Sequence, residues 1–182
     1  MMKKILFIVA LFSGIAMQAQ KVQWMSFEEA VAAQEKEPKK IIMDVYTNWC
    51  GPCKMLDKKT LQNKDVAAYI SEHYYAVKFN GEGKDAVTYK GNEFTNPDYD
   101  PERSNRRNSA HQFTSYLQVR GYPTLVFFDE NADLIAPLTG YLQPNQLELY
   151  LKLFKDDKHK ELKTREAFEE YQKSFVSEFK SE

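Results

Sequence analysis

Cysteine is scarce in this sequence: there are two among 182 residues, and both stand in one tetrapeptide as Cys50 and Cys53. Secreted proteins commonly use cysteines in even numbers for bridges between distant segments. A bridge between Cys50 and Cys53 would close a very small loop, which restricts the unfolded chain much less than a large one. Stabilisation is therefore a poor explanation for the pair, and reversible redox chemistry is a better one.

An excess of either charge is also lacking, since 25 basic residues nearly balance 26 acidic ones. The net charge is −1, and it becomes −3 if Lys3 and Lys4 are removed with an N-terminal signal segment, because each carries +1. Neither value provides the basic field that binds nucleic acid or an anionic membrane surface. We therefore expect no nucleic-acid partner.

Ligands for a metal ion are few as well. There is no third cysteine, and the three histidines, His73, His111 and His159, are scattered along the chain. A zinc site built on the two cysteines would therefore lack a closed ligand set. The sequence also carries no dinucleotide or flavin signature, so we expect neither a metal nor an organic cofactor.

Long apolar runs are confined to the first twenty residues. Lys3 and Lys4 precede an apolar run over residues 5–17, and small or polar residues follow at Ala19 and Gln20. This layout is typical of a secretory signal peptide, and the run is shorter than the ~20 residues that a membrane span needs. We expect cleavage near Ala19, which would leave residues 20–182 as one soluble periplasmic domain without stable membrane association.

The remaining sequence alternates strand and helix patterns in the order β-α-β-α-β-β-α. A capping box at Ser26 and Glu29 starts the first helix, and Pro144 suits the first turn of a later helix. The predicted strands cover residues 39–47, 74–80, 123–128 and 134–138, and the predicted helices cover residues 27–36, 54–62, 65–74, 109–119 and 144–154. This order predicts an α/β fold with a mixed central sheet and helices on both faces.

Residues 81–107 interrupt this rhythm with glycines, prolines and dense charge. The sequence Lys90-Gly91-Asn92 predicts a hairpin turn within residues 87–95. After the turn, acidic and amide residues alternate as calcium ligands do, at Asn96, Asp98, Asp100 and Glu102. Prolines intervene, however, and the turn glycine of an EF-hand is missing, so a turn-rich loop is favoured over a calcium site. We expect this insertion to select substrates through a groove lined by Tyr89, Phe94 and Tyr99, without taking part in the chemistry.

The C-terminal segment, residues 156–182, is predicted to be a helical extension. From Thr164 onward, four aromatic residues recur at helical spacing: Phe168, Tyr171, Phe175 and Phe179. Such a stripe favours a terminal helix packed on the domain. A helix that binds a partner protein is the alternative.

The C-x-x-C pair follows a predicted strand and opens a predicted helix. Cysteines three residues apart lie on one helical face, and unpaired amides at the helix start favour the thiolate of Cys50. Pro52 costs the first turn no hydrogen bond, and Gly51 is expected to leave the Cys50 sulfur exposed to a partner. These features predict that Cys50 attacks a disulfide and Cys53 resolves the product.

The sequence resembles the thioredoxin family over roughly residues 38–155, apart from the insertion. The segment Trp49-Cys50-Gly51-Pro52-Cys53-Lys54 matches the family signature. Asp44 and Lys78 match a buried aspartate and its lysine partner, and Gly121-Tyr122-Pro123-Thr124 with Gly140 matches the family's cis-proline loop and a later glycine. One departure is Lys58, which stands where the family usually has a helix-kinking proline.

This resemblance implies a thioredoxin fold and roles for particular residues. Asp44 would accept the proton of Cys53 with Lys78 beside it, and Pro123 would be cis. Substrate would contact the Tyr122 backbone and residues of the motif, namely Trp49, Gly51 and Pro52. Each residue also has an alternative explanation: a frayed strand end for Asp44, a solvated strand charge for Lys78, and a cap on the core for Trp49.

These observations together predict an exported reductase of protein disulfides that takes its electrons from another protein's dithiol. Gly-Pro between the cysteines resembles reductants more than strong oxidants. An oxidant or isomerase in the same compartment is the first alternative. The second is a non-enzymatic binding module that keeps the fold and uses the insertion and the terminal helix to hold a partner.

Overall fold

The computed structural model describes residues 21–181. The predicted signal peptide, residues 1–19, lies outside the described residues. The strands are β1 (Trp24–Met25), β2 (Lys40–Tyr46), β3 (Tyr74–Asn80), β4 (Val87–Tyr89), β5 (Asn92–Phe94), β6 (Thr124–Phe128) and β7 (Leu134–Thr139). The helices are α1 (Phe27–Gln34), α2 (Gly51–Leu56), α3 (Lys64–His73), α4 (Gln112–Tyr116), α5 (Pro144–Lys155) and α6 (Arg165–Ser174).

Five strands form one mixed sheet in the order β1-β3-β2-β6-β7. β1 and β2 both run parallel to β3, while β6 is antiparallel to both β2 and β7. The predicted mixed sheet with helices on both faces is confirmed. The sequence pattern did not predict β1, because two residues are too few to show a period.

The sheet separates two apolar layers, since successive side chains of a strand point to opposite faces. On β2, Ile41, Met43 and Val45 pack with α1, α4 and the β4–β5 hairpin, on what we call the α1 face. Ile42 packs on the opposite side with α3 and α5, which we call the α5 face. Asp44 is two residues after Ile42 on the same strand, so its side chain also points toward the α5 face, under the helix that follows the two cysteines.

Local sequence signals set the helix starts. The Ser26 side chain accepts from the Glu29 amide, and the Glu29 carboxylate accepts from the Ser26 amide, so the predicted capping box is confirmed. Helix α4 is shorter than the predicted residues 109–119. It begins after His111, whose ring caps it, and it ends before Gln118, whose φ of 58° is left-handed.

The 81–107 insertion contributes to the core. Its β4–β5 hairpin turns at Lys90 and Gly91, both with positive φ, as the sequence predicted. The expected groove is wrong for Tyr89, which is only 4% exposed and packs against Phe27 and Phe113. Asn96 is buried too, and its amide donates to the carbonyls of residues 83 and 109, which makes it a structural residue of a turn-rich loop.

The C-terminal extension packs on the α5 face, as expected, but only part of it is helical. Phe168 and Tyr171 of α6 and Phe179 beyond it pack on this face. α6 ends at Ser174, and the following segment is anchored by buried Glu148 of α5. The Glu148 carboxylate accepts the backbone amides of Glu178 and Phe179 at 2.8 Å each.

Candidate active site

The two cysteines form a disulfide at the junction of β2 and α2. Cys50 is the N-cap of α2, Cys53 lies in its first turn, and their Cα atoms are 5.3 Å apart. The amide of Cys53 donates to Cys50 Sγ at 3.1 Å. A hydrogen bond and a helix start at this sulfur favour a negative charge on it once the disulfide is opened.

Neither cysteine is exposed in this disulfide form. Cys50 is 2% exposed and Cys53 4%, whereas Gly51 and Pro52 between them are exposed. The expectation that Gly51 leaves the Cys50 sulfur exposed is therefore wrong here. The physical reason is that the sulfur turns back onto the Cys53 amide and is bonded to Cys53, so the exposed surface of the motif is the Gly-Pro backbone.

Asp44 and Lys78 are neighbours because of the strand register. They stand opposite each other in the parallel β2–β3 pair, with Lys78 Nζ 3.4 Å from Asp44 Oδ2. Asp44 is 1% exposed, and within residues 21–181 no group donates a hydrogen bond to its carboxylate. Burial raises the pKa of Asp44 to about 6, although the charge of Lys78 opposes the shift. The frayed-end alternative for Asp44 is excluded.

Asp57 is a residue of this network that sequence reasoning missed. Its Oδ1 lies 3.0 Å from Lys78 Nζ, so one lysine serves two carboxylates. The helix after the cysteines changes at Asp57 from α to π geometry over Asp57–Leu61, which includes Lys58 at the position of the family's usual proline. Asp57 stands four residues after Cys53, about one helical turn, and that spacing was the available signal.

A cavity of about 230 Å³ joins this network to the motif. Cys53, Asp57 and Lys78 line it together with Tyr46 and Lys54. The Lys78 ammonium also lies over the rings of Trp24 and Tyr46, at 4.8 and 5.4 Å from their centroids. The lysine is therefore held between aromatic faces and carboxylates, not free in solvent as the alternative supposed.

The Tyr122–Pro123 peptide bond is cis, as the resemblance implies. The Tyr122 hydroxyl donates to the Gly81 carbonyl at 3.2 Å. The rings of Tyr122 and Trp49 are arranged edge to face, with their centroids 6.4 Å apart. A Cβ on Gly81 would lie 2.6 Å from the Tyr122 ring. Glycine is therefore needed at position 81 for this loop to approach the end of β3.

The insertion holds Trp49 from the other side. The Trp49 indole donates to Glu82 Oε2 at 2.7 Å, and the Arg107 guanidinium lies 5.0 Å from the Trp49 ring centroid. Asn48 donates to the Ser104 carbonyl at 2.8 Å. Sequence reasoning did not find Glu82 or Arg107, because contacts across a loop of this length leave no periodic signal.

Among residues 21–181, no three histidine, cysteine, aspartate or glutamate side chains are grouped so that they could hold a metal ion. In the same part of the chain, no helix is both long and apolar enough to cross a membrane.

Comparisons with known proteins agree with this geometry. Thiol:disulfide interchange protein DsbD of Pectobacterium atrosepticum is 27% identical over 128 residues, which are 68% of this chain and 18% of DsbD. The chain thus spans a fifth or less of the length of the DsbD relatives that it matches. Thioredoxin-like protein slr0233 of Synechocystis is 26% identical over 136 residues, which cover 75% of this chain and 98% of that protein.

A solved structure from Bacteroides thetaiotaomicron, whose title proposes a disulphide-isomerase, is 28% identical with a TM-score of 0.50. The match covers 75% of this chain and 94% of that one. The family model described as a thioredoxin-like domain matches residues 27–155. The chain therefore belongs to the thioredoxin-like domain family.

Proposed function

We propose that this protein is an exported reductase of protein disulfides. The observation that carries the proposal is the Cys50–Cys53 disulfide at a helix start, beside a cavity that Cys53 shares with Lys78, the ion-pair partner of buried Asp44. A thiol pair in this setting has a nucleophile, a resolving thiol and a proton acceptor. The similarity to DsbD and to thioredoxin-like proteins supports the same chemistry.

The reaction begins with the reduced protein. The Cys50 thiolate attacks one sulfur of a substrate disulfide, so that a Cys50–substrate disulfide forms and the other substrate sulfur leaves as a thiolate. Cys53 then attacks Cys50 Sγ, which re-forms the Cys50–Cys53 disulfide and releases the second substrate thiolate. Two electrons pass to the substrate, and a dithiol of an upstream protein returns the pair to its reduced state.

Asp44 takes the proton that Cys53 must lose in the second step. A carboxylate with a pKa of about 6 is mostly ionised at neutral pH and is still a better base than an exposed aspartate. Lys78 lies between Asp44 and Asp57, so it stabilises the carboxylates and lines the cavity that reaches Cys53.

Substrate contacts are proposed for the surface around the pair. Gly51 and Pro52 are exposed. The neighbouring Trp49 and the ring of Tyr122 form an edge-to-face aromatic pair. An extended substrate segment lies along the backbone of Tyr122 and Pro123, where main-chain pairing gives affinity with little sequence preference. This suits an enzyme that acts on disulfides of several proteins.

Export rests on residues 1–19, whose layout is that of a signal peptide. Cleavage would place the domain in the periplasm. A protein recovered from the periplasmic fraction with its N-terminus near residue 20 supports this, and an uncleaved chain in the cytoplasm contradicts it.

Isomerase activity is the second candidate, because the solved structure from Bacteroides thetaiotaomicron is titled as a proposed disulphide-isomerase. The reduction potential separates the two. A reductase is expected below about −220 mV, near glutaredoxins and thioredoxin, whereas an isomerase or oxidant lies at about −180 mV or higher. A value in the second range refutes the proposed direction.

Trapping experiments test the roles of the two cysteines. Cys53→Ser is expected to accumulate covalent mixed disulfides with substrate, because the resolving thiol is lost, and Cys50→Ser is expected to accumulate none. Equal trapping by both variants contradicts the assigned roles. A double variant that keeps its cellular function identifies a binding module instead of an enzyme.

A further inference from the structure

Arginine is distributed unevenly in this protein. The chain has five arginines, and three of them, Arg103, Arg106 and Arg107, stand within five consecutive residues of the insertion. Arg120 comes directly before the cis-proline loop. Only Arg165, on α6, is remote in sequence from these two segments. With a net charge of −1, the protein as a whole gives no reason for such a concentration.

The loop that carries the three arginines is closed by hydrogen bonds. The amide of Asp100 donates to Asn108 Oδ1 at 3.0 Å, and Asn108 Nδ2 donates to the Asp100 carbonyl at 2.7 Å. A 3-10 turn, Pro101–Arg103, follows Asp100, whose carboxylate caps it by accepting the Glu102 amide at 2.9 Å. A closed loop of this kind presents its side chains at little entropic cost on binding.

The same loop is fixed against the disulfide motif. Asn48 donates to the Ser104 carbonyl at 2.8 Å, and Glu82 Oε2 accepts both the Trp49 indole and the Asn108 amide, the latter at 2.9 Å. The Arg107 guanidinium is directly over Trp49. Residues 103–107 therefore border the surface on which a substrate disulfide must land.

Apart from the contact of Arg107 with the Trp49 ring, these arginines have no partner among residues 21–181 that would explain them. Arg103, Arg106, Arg107 and Arg120 are all exposed, and none forms an ion pair within residues 21–181. Acidic residues also stand in the insertion, but in the part of the chain that the structure describes none of them forms an ion pair with these arginines. Glu82 is used by Trp49 and Asn108, Asp100 caps the 3-10 turn, and exposed Asp98 and Glu102 precede the arginines in the loop.

We propose that Arg103, Arg106 and Arg107 form a docking patch for an acidic segment next to the disulfide of a protein substrate. The proposal rests on the reductase function and names the substrate class for the same site. Guanidinium groups bind carboxylates in bidentate fashion, and an oppositely charged patch beside a reaction site mainly raises the association rate. Pairing of the substrate main chain with the backbone of Tyr122 and Pro123 then supplies affinity, and the arginine patch selects substrates with acidic segments.

The test uses three disulfide-bonded peptides that differ only in four residues flanking the cystine, which are Glu, Gln or Lys. Second-order rate constants for their reduction are measured with the fully reduced protein. We expect the Glu peptide to react about tenfold or more faster than the Lys peptide at low salt, with the Gln peptide between them. The difference should shrink strongly in about 0.5 M NaCl, where the Debye length is only a few ångströms.

The variant Arg103→Gln with Arg106→Gln leaves Trp49 and its Arg107 contact in place. It is expected to reduce the preference for the Glu peptide to about threefold or less, since only one guanidinium of the patch remains. The matched control, Arg165→Gln with Lys173→Gln, also removes two positive charges but from α6, and it should keep the full preference. Equal rates with the three peptides in the unaltered protein, or a preference that survives the double variant, overturns the proposal.

Failure of the proposal and failure of the reductase function give different results. If all three peptides are reduced at equal rates, the reductase function stands and the acidic preference is refuted. If none is reduced, the reductase function is refuted, and binding of a cysteine-free Glu peptide, followed by tryptophan fluorescence, decides the patch separately. The patch is then rejected if the Glu and Lys peptides bind equally. It is also rejected if the double variant binds the Glu peptide as tightly as the unaltered protein does.

Discussion

Replacing Asp44 by asparagine should stabilise the disulfide form of the protein at neutral pH, and the gain should depend on pH in a defined way. The carboxyl is 1% exposed, and burial raises its pKa to about 6 from an ordinary value of 3.8. Each pKa unit corresponds to about 1.4 kcal/mol, so ionising Asp44 in the folded protein costs about 3 kcal/mol.

The sign follows from the proton balance. Below pH 4 the carboxyl is protonated in both folded and unfolded chains, and its ionisation costs nothing. Between about pH 4 and pH 6 the unfolded chain ionises while the folded protein holds its proton, so stability falls as pH rises. Above pH 6 the full cost is present. Asparagine has no such ionisation, and the stability gap between variant and parent should therefore widen across this window.

Urea unfolding of the two oxidised proteins, measured at intervals from pH 4 to pH 8, gives this gap directly. Other titrating groups are common to both proteins and cancel in the difference. The control Asp98→Asn removes an exposed carboxylate and should change stability by about 0.5 kcal/mol or less. A gap for Asp44→Asn that stays constant from pH 4 to pH 7 refutes the burial argument, and so does a variant less stable than its parent at pH 7.

Three further results are expected. Asp44→Asn should slow the resolving step near neutral pH in stopped-flow traces and leave the first attack much less affected; an unchanged resolving step contradicts the role as proton acceptor. Gly81→Ala should cost about 1–3 kcal/mol in unfolding experiments, because its Cβ would meet the Tyr122 ring, while Gly51→Ala has open space and should cost less. Glu148→Gln should cost about 2–4 kcal/mol at pH 7 and expose the C-terminal segment to proteases. Burial raises the pKa of Glu148, but hydrogen bonds from Lys152 and the C-terminal segment outweigh it and hold that pKa below its ordinary value, so the loss should diminish as pH falls below about 4.

The fold was predictable where the signals are local. The capping box at Ser26, the strand over residues 74–80 and the hairpin turn at Lys90 and Gly91 depend on a few neighbouring residues, and the structure has them as predicted. Helix α4 was predicted too long, because its end depends on a left-handed Gln118 and its start on contacts to a distant strand end. Apolar spacing alone contains neither piece of information.

The chemistry of the motif was likewise local. Two cysteines three residues apart, after a strand and before a helix, must lie within disulfide distance, and the period of two on β2 points Asp44 to one face whatever surrounds it. The burial of Asp44, which raises its pKa, was not local. It depends on the helix and strands that cover this face, and these come from other parts of the chain.

The sequence by itself therefore determined the redox pair, the order of the elements and, through resemblance, the identity of the Asp44–Lys78 pair. Only the tertiary structure decided that Lys78 also serves Asp57, that Tyr89 belongs to the core, and that the arginines border the motif. The physical reason is range. Periodicity and capping act over one or two turns, whereas the packing of the insertion joins residues 30 to 60 positions apart, as in the contacts of Asn48 with Ser104 and of Trp49 with Glu82.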